Sequence, residues 1–502
     1  MAAHKMKLDK DLKKIGQVQA ATRTVLGLET RIGLSVAFLL IVFGYVALTK
    51  GVSSSSVIVI VAAVIGGYMA MAIGANDVAN NVGPAVGSKA ITMTGALVIA
   101  AVFEVTGALV AGSDVVATVS GGIVDPARMP GAGTFVWAML AALLAAALWI
   151  HLATYLRAPV STTHSIVGAV LGAGAAAAGF SAVNWPVVAR ITVSWIISPI
   201  MGGVIAAILL AFIKFAVLYR PDRLSAAKLW VPALTALTGA TFTTYLLMKG
   251  LAHVWSPSVL LLLTVGAAIF IVFFAISKRG VAQAAAKLEN TRKDVARLFT
   301  LPLIFAAAVL SFAHGANDVA NAVGPLSAIA GHIGKEAVGA NVAVPGWVLT
   351  VGGIGIAVGL GLFGPRIIRM VGEQITKLNP IRAFCVALAA GITVIMASAL
   401  GLPVSSTHIA VGGVFGVGFL REFISNRRMR PDIAYPSGNG TAVSAPPENG
   451  VEALRLQEAK QLNRRLVRRQ HLLTILAAWV VTVPCAALLS AALYYVIRLI
   501  VG

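Results

Sequence analysis

The sequence predicts an all-α fold: a polytopic transmembrane bundle of two inverted repeats with broken or re-entrant helices. Three observations predict it: a composition that only lipid can solvate, apolar runs of membrane-crossing length, and two pairs of repeated polar motifs in the same order. Of 502 residues, 58% are hydrophobic and only 11% charged, more apolar surface than a water-soluble domain could hide.

The elements follow from the apolar runs, because a helix needs about 20 such residues to cross the hydrocarbon core. In chain order the runs cover 32–49, 57–73, 91–112, 135–156, 191–218, 229–248, 259–276, 301–314, 347–364, 384–400 and 472–500. Two further stretches, 159–179 and 403–420, open with proline and are rich in glycine. These two are expected to be broken or re-entrant.

A net charge of +21 would suggest nucleic acid in a soluble protein, but here Lys and Arg sit in the gaps between apolar runs. Segments 5–31, 220–228, 278–297, 366–377 and 421–469 are basic, whereas 49–56 and 113–133 are nearly free of basic residues. If every run crosses once, all five basic gaps fall on one side, which the positive-inside rule assigns to the cytoplasm. The amino terminus is then inside and the carboxyl terminus outside, in a multi-pass protein of the cell (inner) membrane.

The basic segment ahead of the first run is long for a secretory signal, so that run is expected to stay as an anchor. Cys385 and Cys485 both lie in apolar runs and support neither a disulfide scaffold nor a thiolate metal site. Stretch 426–450, rich in Pro, Gly, Asn and Ser, is expected to be a disordered linker, followed by a basic amphipathic surface helix over 451–470. The resulting division is 1–56, basic terminus and added anchor; 57–220, first repeat; 221–300, connecting helices and basic loop; 301–420, second repeat; 421–470, cytoplasmic linker; 471–502, last helix.

The repeat is explicit. GANDVANNVGP from Gly74 and GANDVANAVGP from Gly315 agree at ten of eleven positions, and PVSTTHSIVGAVLG from Pro159 and PVSSTHIAVGGVFG from Pro403 agree at nine of fourteen. The offsets, 241 residues (74 to 315) and 244 (159 to 403), are nearly equal, so one unit was duplicated with its order kept. By the crossing count, the helix ending in the first GAND runs inward and the one ending in the second runs outward. Equivalent motifs are thereby placed about a pseudo-two-fold axis in the membrane plane.

Asp77 and Asp318 are carboxylates inside apolar surroundings, where burial costs about 2.5 kcal/mol or more, so each requires a partner. Asn76, Asn80 and Asn81, with Asn317 and Asn321, supply amides, and the i, i+4 spacing puts Asn76 with Asn80, and Asn317 with Asn321, on one helical face. Gly74, Gly83 and Pro84, like Gly315, Gly324 and Pro325, are where such helices are expected to unwind and free carbonyls for a hard cation. Pro159 and Pro403 suit helix starts, bringing Ser161, Thr162 and Thr163, or Ser405, Ser406 and Thr407, into a first turn. Hydroxyls and unpaired backbone N–H groups meet the positive end of the helix dipole there, and two such ends suit a tetrahedral oxyanion. An anion beside two carboxylates calls for a neutralising cation, hence symport. Asp77, Asp318 and the third buried acid, Glu104, are the candidate cation or proton sites.

Single Asn, Ser and Gly residues in membrane helices commonly serve packing, but packing does not require the same polar cluster in both halves. For His164 and His408 two readings stand, proton carrier or hydrogen-bonded structural group. His151, His314 and Lys214 have no repeat counterpart and are read as snorkelling residues or local partners.

The two GANDVAN segments with PVSTTH and PVSSTH resemble the inorganic phosphate transporter (PiT) family of secondary symporters, over about 57–420 plus the last helix. The resemblance implies inorganic phosphate held between the halves by Asn76, Asp77, Asn80, Ser161, Thr162 and Thr163 with Asn317, Asp318, Asn321, Ser405, Ser406 and Thr407. It also implies co-transport of a sodium ion or a proton, no further cofactor, and a homodimer. Many sodium-coupled relatives have a glutamate in an FCxEL segment where this chain reads FCVAL, with Ala387 in its place. The family also includes sulfate permeases and carriers of neutral metal-phosphate complexes. An intramembrane hydrolase is the reading from another class, but both aspartates lie in GAND rather than GxGD, and neither Ser161 nor Ser405 has an evident acid to orient its histidine.

Overall fold

The computed structural model describes residues 27–156, 160–250, 258–333, 343–374, 379–428 and 470–501. The first half contributes α1 (Leu28–Lys50), α2 (Ser54–Asn76), α3 (Ala79–Gly87), α4 (Met93–Ala111), α5 (Ala132–Leu156), α6 (Thr162–Ala178) and α7 (Trp185–Ile213). A connecting pair, α8 (Arg223–Gly250) and α9 (Val259–Ala285), leads to α10 (Thr300–His332), α11 (Gly346–Gln374), α12 (Pro380–Ala399), α13 (Ser406–Arg428) and α14 (Gln470–Val501). Among the described residues, 12 helical spans are long and apolar enough to cross a membrane, and the shorter Thr162–Ala178 joins them. Each apolar run of the sequence coincides with one of these helices.

Local chemistry sets the starts. Ser53 accepts a hydrogen bond from the Ser56 N–H, Thr92 from Gly95 and Ser258 from Leu261, each fixing one otherwise orphaned donor. Asn379 caps α12, whose first residue is Pro380. Large apolar side chains such as Leu40, Leu48, Leu260 and Ile271 point outward, as lipid-facing helices require. Helices α10 and α12 are buried most deeply, so the centre of the bundle belongs to the second GAND helix.

Close backbone approaches reveal the two-fold relation. A Cβ on Gly74 would strike the Ile356 carbonyl of α11, and one on Gly315 would strike the Glu104 carbonyl of α4. In the same way Gly359 meets Met71, and Gly107 meets Phe312. Each half therefore packs its GAND helix on the following helix of the other half. Gly168 against Val483 and Gly412 against Pro199 repeat the exchange between α6 and α14 and between α13 and α7. Helices α2 and α10 run antiparallel, with Gly66 beside Ala322 at one level and Asp77 beside Asp318 at another. The repeats are inverted.

Three expectations need correction. Helix α10 does not end at the second GAND but continues from Thr300 to His332 through Gly315, Gly324 and Pro325. The glycines serve packing instead: Gly315 admits the Glu104 backbone, and Gly324 admits the Val119 side chain. In the first half the break falls at Asp77 and Val78, while Gly74 is helical and Pro84 lies inside α3. Even at that break, the Asp77 and Val78 carbonyls accept from the Asn80 and Asn81 N–H groups at 3.1 and 3.0 Å. Finally, α13 remains helical to Arg428, past the expected start of the linker; the rest of the linker and the surface helix up to residue 469 lie outside the described residues, as does Pro159.

Candidate functional site

The repeated motifs meet between the halves. Ser161 caps α6 by accepting from the His164 N–H at 3.3 Å, and Ser405 caps α13 by accepting from the His408 N–H at 3.4 Å. These caps place Thr162 and Ser406 at equivalent helix starts. Thr162 donates to Asp77 Oδ2 at 3.0 Å, and Ser406 donates to Asp318 Oδ2 at 3.0 Å. Across the halves, Asn80 donates to Thr407 Oγ1 at 2.9 Å and Asn321 donates to Thr163 Oγ1 at 3.0 Å. Every one of these bonds has its repeat mate.

Burial is unequal. Asn317, Asp318 and Asn321 are buried, whereas Asn76 and Asn80 are partly exposed beside a buried Asp77. Among the described residues, Asp318 Oδ1 and Asn321 Oδ1 are buried acceptors that no protein hydrogen bond satisfies. A buried acceptor without a donor is costly, so these oxygens suit a cation or a ligand donor.

Two predicted binders have other duties. Asn317 donates to Ser398 Oγ at 2.9 Å and to the Leu402 carbonyl at 3.0 Å, and its own Oδ1 accepts from the Val404 N–H at 3.0 Å. All of these partners lie at the α12–α13 connection, so Asn317 clamps the entry to α13. Asn76 donates to the Ala72 carbonyl and to Thr154 Oγ1 on α5, at 3.0 and 3.3 Å.

His314 is the residue that sequence reasoning underrated. Its Nδ1 donates to Glu104 Oε2 at 2.6 Å, and Asn81 donates to Glu104 Oε1 at 2.9 Å. Its Nε2 lies 2.8 Å from Asp318 Oδ2 without the alignment of a hydrogen bond. Ligand atoms of Asp77, His314 and Asp318 all lie within 4.8 Å of one another. The signal was the i, i+4 spacing of His314 to Asp318, which puts imidazole and carboxylate on one face of α10. His164 and His408 lie behind the hydroxyls, ring centroids 5.3 Å apart, with Trp195 3.8 Å from His164.

A family model described as the phosphate transporter family matches residues 73–490. The chain belongs to that family. It is 45% identical over 523 aligned residues to a Helicobacter pylori (strain J99) protein named "Putative phosphate permease", covering 96% of this chain and 98% of that one. A Thermococcus kodakarensis protein with the same description is 35% identical, over 87% of this chain and 97% of its own. Among solved structures, one titled "The sodium-dependent phosphate transporter" superposes with a TM-score of 0.73 at 34% identity, covering 88% of this chain and all of that one. Phosphate transport is thus the activity of the family to which this transporter belongs, and the hydrolase reading falls away.

Proposed function

We propose that the transporter moves inorganic phosphate in symport with a cation, sodium or a proton, by alternating access of its two inverted halves. The observation that carries this reading is the duplicated Asp–hydroxyl and Asn–hydroxyl set, in which both Asn bonds cross between halves. Two helix N-termini lined with hydroxyls suit a tetrahedral oxyanion, and Asp77 and Asp318 then need a cation to make the cluster neutral. Glu104 is hydrogen-bonded to Asn81 and His314, so it reaches the ion through His314 rather than by facing the anion. The sodium dependence in the structural neighbour's title supports sodium as the first ion to test. With the amino terminus inside, as the basic gaps imply, the partial exposure of Asn76 and Asn80 supports an opening toward the cytoplasm.

The deciding experiment is counterflow of labelled phosphate, with sulfate as competitor, in proteoliposomes under separately imposed sodium and proton gradients. Phosphate accumulation driven by one gradient is the expected result. Sulfate outcompeting phosphate, or equilibration without accumulation under either gradient, would refute phosphate symport.

A further inference from the structure

We propose that the groove between α7 and α13 binds one anionic phospholipid, with an acyl chain along the groove and the headgroup phosphate on Arg421 and Arg382. The inference is independent of the cargo and its coupling ion, and stands on a surface that faces lipid rather than on the central site.

Small residues shape the groove. A Cβ on Gly412 would strike the Pro199 carbonyl, and one on Gly416 the Gly203 carbonyl, so the two helices run parallel with 199 level with 412 and 203 level with 416. Glycine at this seam makes a floor, and larger side chains make the walls. Ile196, Ile200 and Val204, each more than half exposed, stand on α7. Phe415, Phe419 and Phe423 stand on α13 at i, i+4 spacing, the first two rings stacked with centroids 6.2 Å apart. The space between the walls is about 630 Å3.

Its length is that of one leaflet. From Ile196 to Ala207 the α7 wall runs about 16 Å, half of a hydrocarbon core about 30 Å thick. His408 closes the inner end, its ring edge-on to His164 at 5.3 Å, one residue from the Thr407 hydroxyl that holds Asn80. The groove thus starts at the level of the central site and ends where α13 enters the basic segment, on the cytoplasmic side in the proposed orientation.

At that end arginines replace the apolar lining. Arg421 follows Leu420, the last aliphatic residue of the groove but for Phe423 beyond it, and Arg382 at the start of α12 is near enough for the two positive charges to repel. Among the described residues neither has a carboxylate partner: Arg382 Nε donates to the uncharged Asn379 Oδ1 at 3.1 Å, and Glu422 beside them is engaged elsewhere. Because the walls are parallel, Arg220, just past α7, belongs to the same end. Clustered guanidinium groups without an acid suit a phosphate, which accepts from arginine in a bidentate manner. The adjoining leaflet-length groove selects a lipid phosphate over the free ion, which would leave that groove unfilled.

The repeat supplies an internal control. By the 244-residue offset, Phe415, Phe419 and Phe423 correspond to Leu171, Ala175 and Gly179, and Arg421 to Ala177. Helix α6 ends at Ala178, whereas α13 runs on to Arg428. Neither the duplicated fold nor its hydroxyl cluster requires the aromatic ladder or the arginine, so both are additions of the second half.

The test places the full-length transporter in phosphatidylcholine vesicles with a trace of phosphatidylglycerol or phosphatidylcholine, each carrying the same photoactivatable acyl chain. Phosphatidylglycerol should label α7 and α13 peptides at least about fivefold more than phosphatidylcholine, and Arg421→Gln should remove about fivefold of that labelling, the contribution of one arginine. Ala207→Trp, which fills the groove and leaves the arginines alone, should lower labelling of both walls. Excess inorganic phosphate should displace nothing. Equal labelling by the two lipids, labelling confined to other helices, or labelling unchanged in either variant overturns the proposal. Displacement by free phosphate does so as well, by assigning the arginines to the ion. A disulfide between two copies of Val204→Cys, in a background lacking Cys385 and Cys485, would overturn it by giving the groove to a second protomer.

Discussion

Asn80 in the first half donates to Thr407 of the second at 2.9 Å, and Asn321 returns the bond to Thr163 at 3.0 Å. Each amide that faces the site is therefore held by a hydroxyl of the opposite repeat. A rocking motion of one half against the other cannot leave these four side chains in place, which ties the shape of the site to the state of the bundle.

The pairing is testable by double-mutant cycles. Asn80→Ala and Thr407→Val should each cut phosphate uptake several-fold and, combined, cost little more than either alone. Asn80→Ala with Thr163→Val, which are not partners, should multiply their effects. A coupling of about 0.5–1.5 kcal/mol is expected for the true pair, the net worth of one hydrogen bond. Additive losses in both cycles would remove the cross-half bond from the mechanism.

Asp77→Asn and Asp318→Asn keep the shape of each side chain and delete its charge. Each should abolish cation-driven uptake while the protein still enters the membrane at wild-type levels. The two should nevertheless differ in stability: Asp318 stands beside His314 in a fully buried cluster, whereas Asp77 faces a partly exposed pair of amides. Neutralising Asp318 leaves the Glu104–His314 pair without its neighbour, so its thermal midpoint in detergent should fall further. Wild-type uptake in either variant would refute a direct role.

Much of this architecture is legible in the sequence because lipid leaves a chain few alternatives: each run of sufficient length is a helix, and the duplicated motifs mark the centre. What failed was the meaning of glycine. Gly74 and Gly315 read equally well as hinges or as packing notches, and only the Ile356 and Glu104 carbonyls lying against them decide for notches. The bonds of Asn317 are not legible in the sequence for a related reason, since its partners Ser398, Leu402 and Val404 are 81 to 87 residues away. His314 has no counterpart in the other repeat, so repeat symmetry does not point to it; only the fold brings Glu104 against its ring.

The notch reading has a stability consequence. Gly315→Ala and Gly74→Ala would drive a methyl into a neighbouring helix backbone, which cannot move aside as a flexible side chain can. Overpacking of this kind costs about 1–3 kcal/mol, so both variants should melt several degrees below wild type in detergent. Gly33→Ala and Gly280→Ala, with nothing within 4 Å of the added carbon, are the matched controls and should melt at or above the wild-type temperature. Equal melting of all four would mean that the helices separate easily at these seams.

Two contacts tie the segment after α4 to other elements of the bundle. Thr118, in the π-helical turn after α4, donates to the Gly401 carbonyl at 2.7 Å, and Lys249 at the end of α8 pairs with Asp114. In the proposed orientation, with the amino terminus inside, both contacts fall on the outer side. The Lys249–Asp114 pair is partly exposed and contributes about 0–1 kcal/mol, so Lys249→Met should shift the inward-open to outward-open ratio by no more than about fivefold. Thr118→Val removes a hydrogen bond worth about 0.5–1.5 kcal/mol and should shift it further. The readout is Thr154→Cys in a background lacking Cys385 and Cys485, labelled with an impermeant thiol reagent, because Thr154 is exposed beside Asn76, on the side proposed to be open. Labelling should proceed from the cytoplasmic face only, and each tether variant should slow it. Faster labelling in both variants, or labelling from outside in the parent, would reverse the assignment of open and closed mouths.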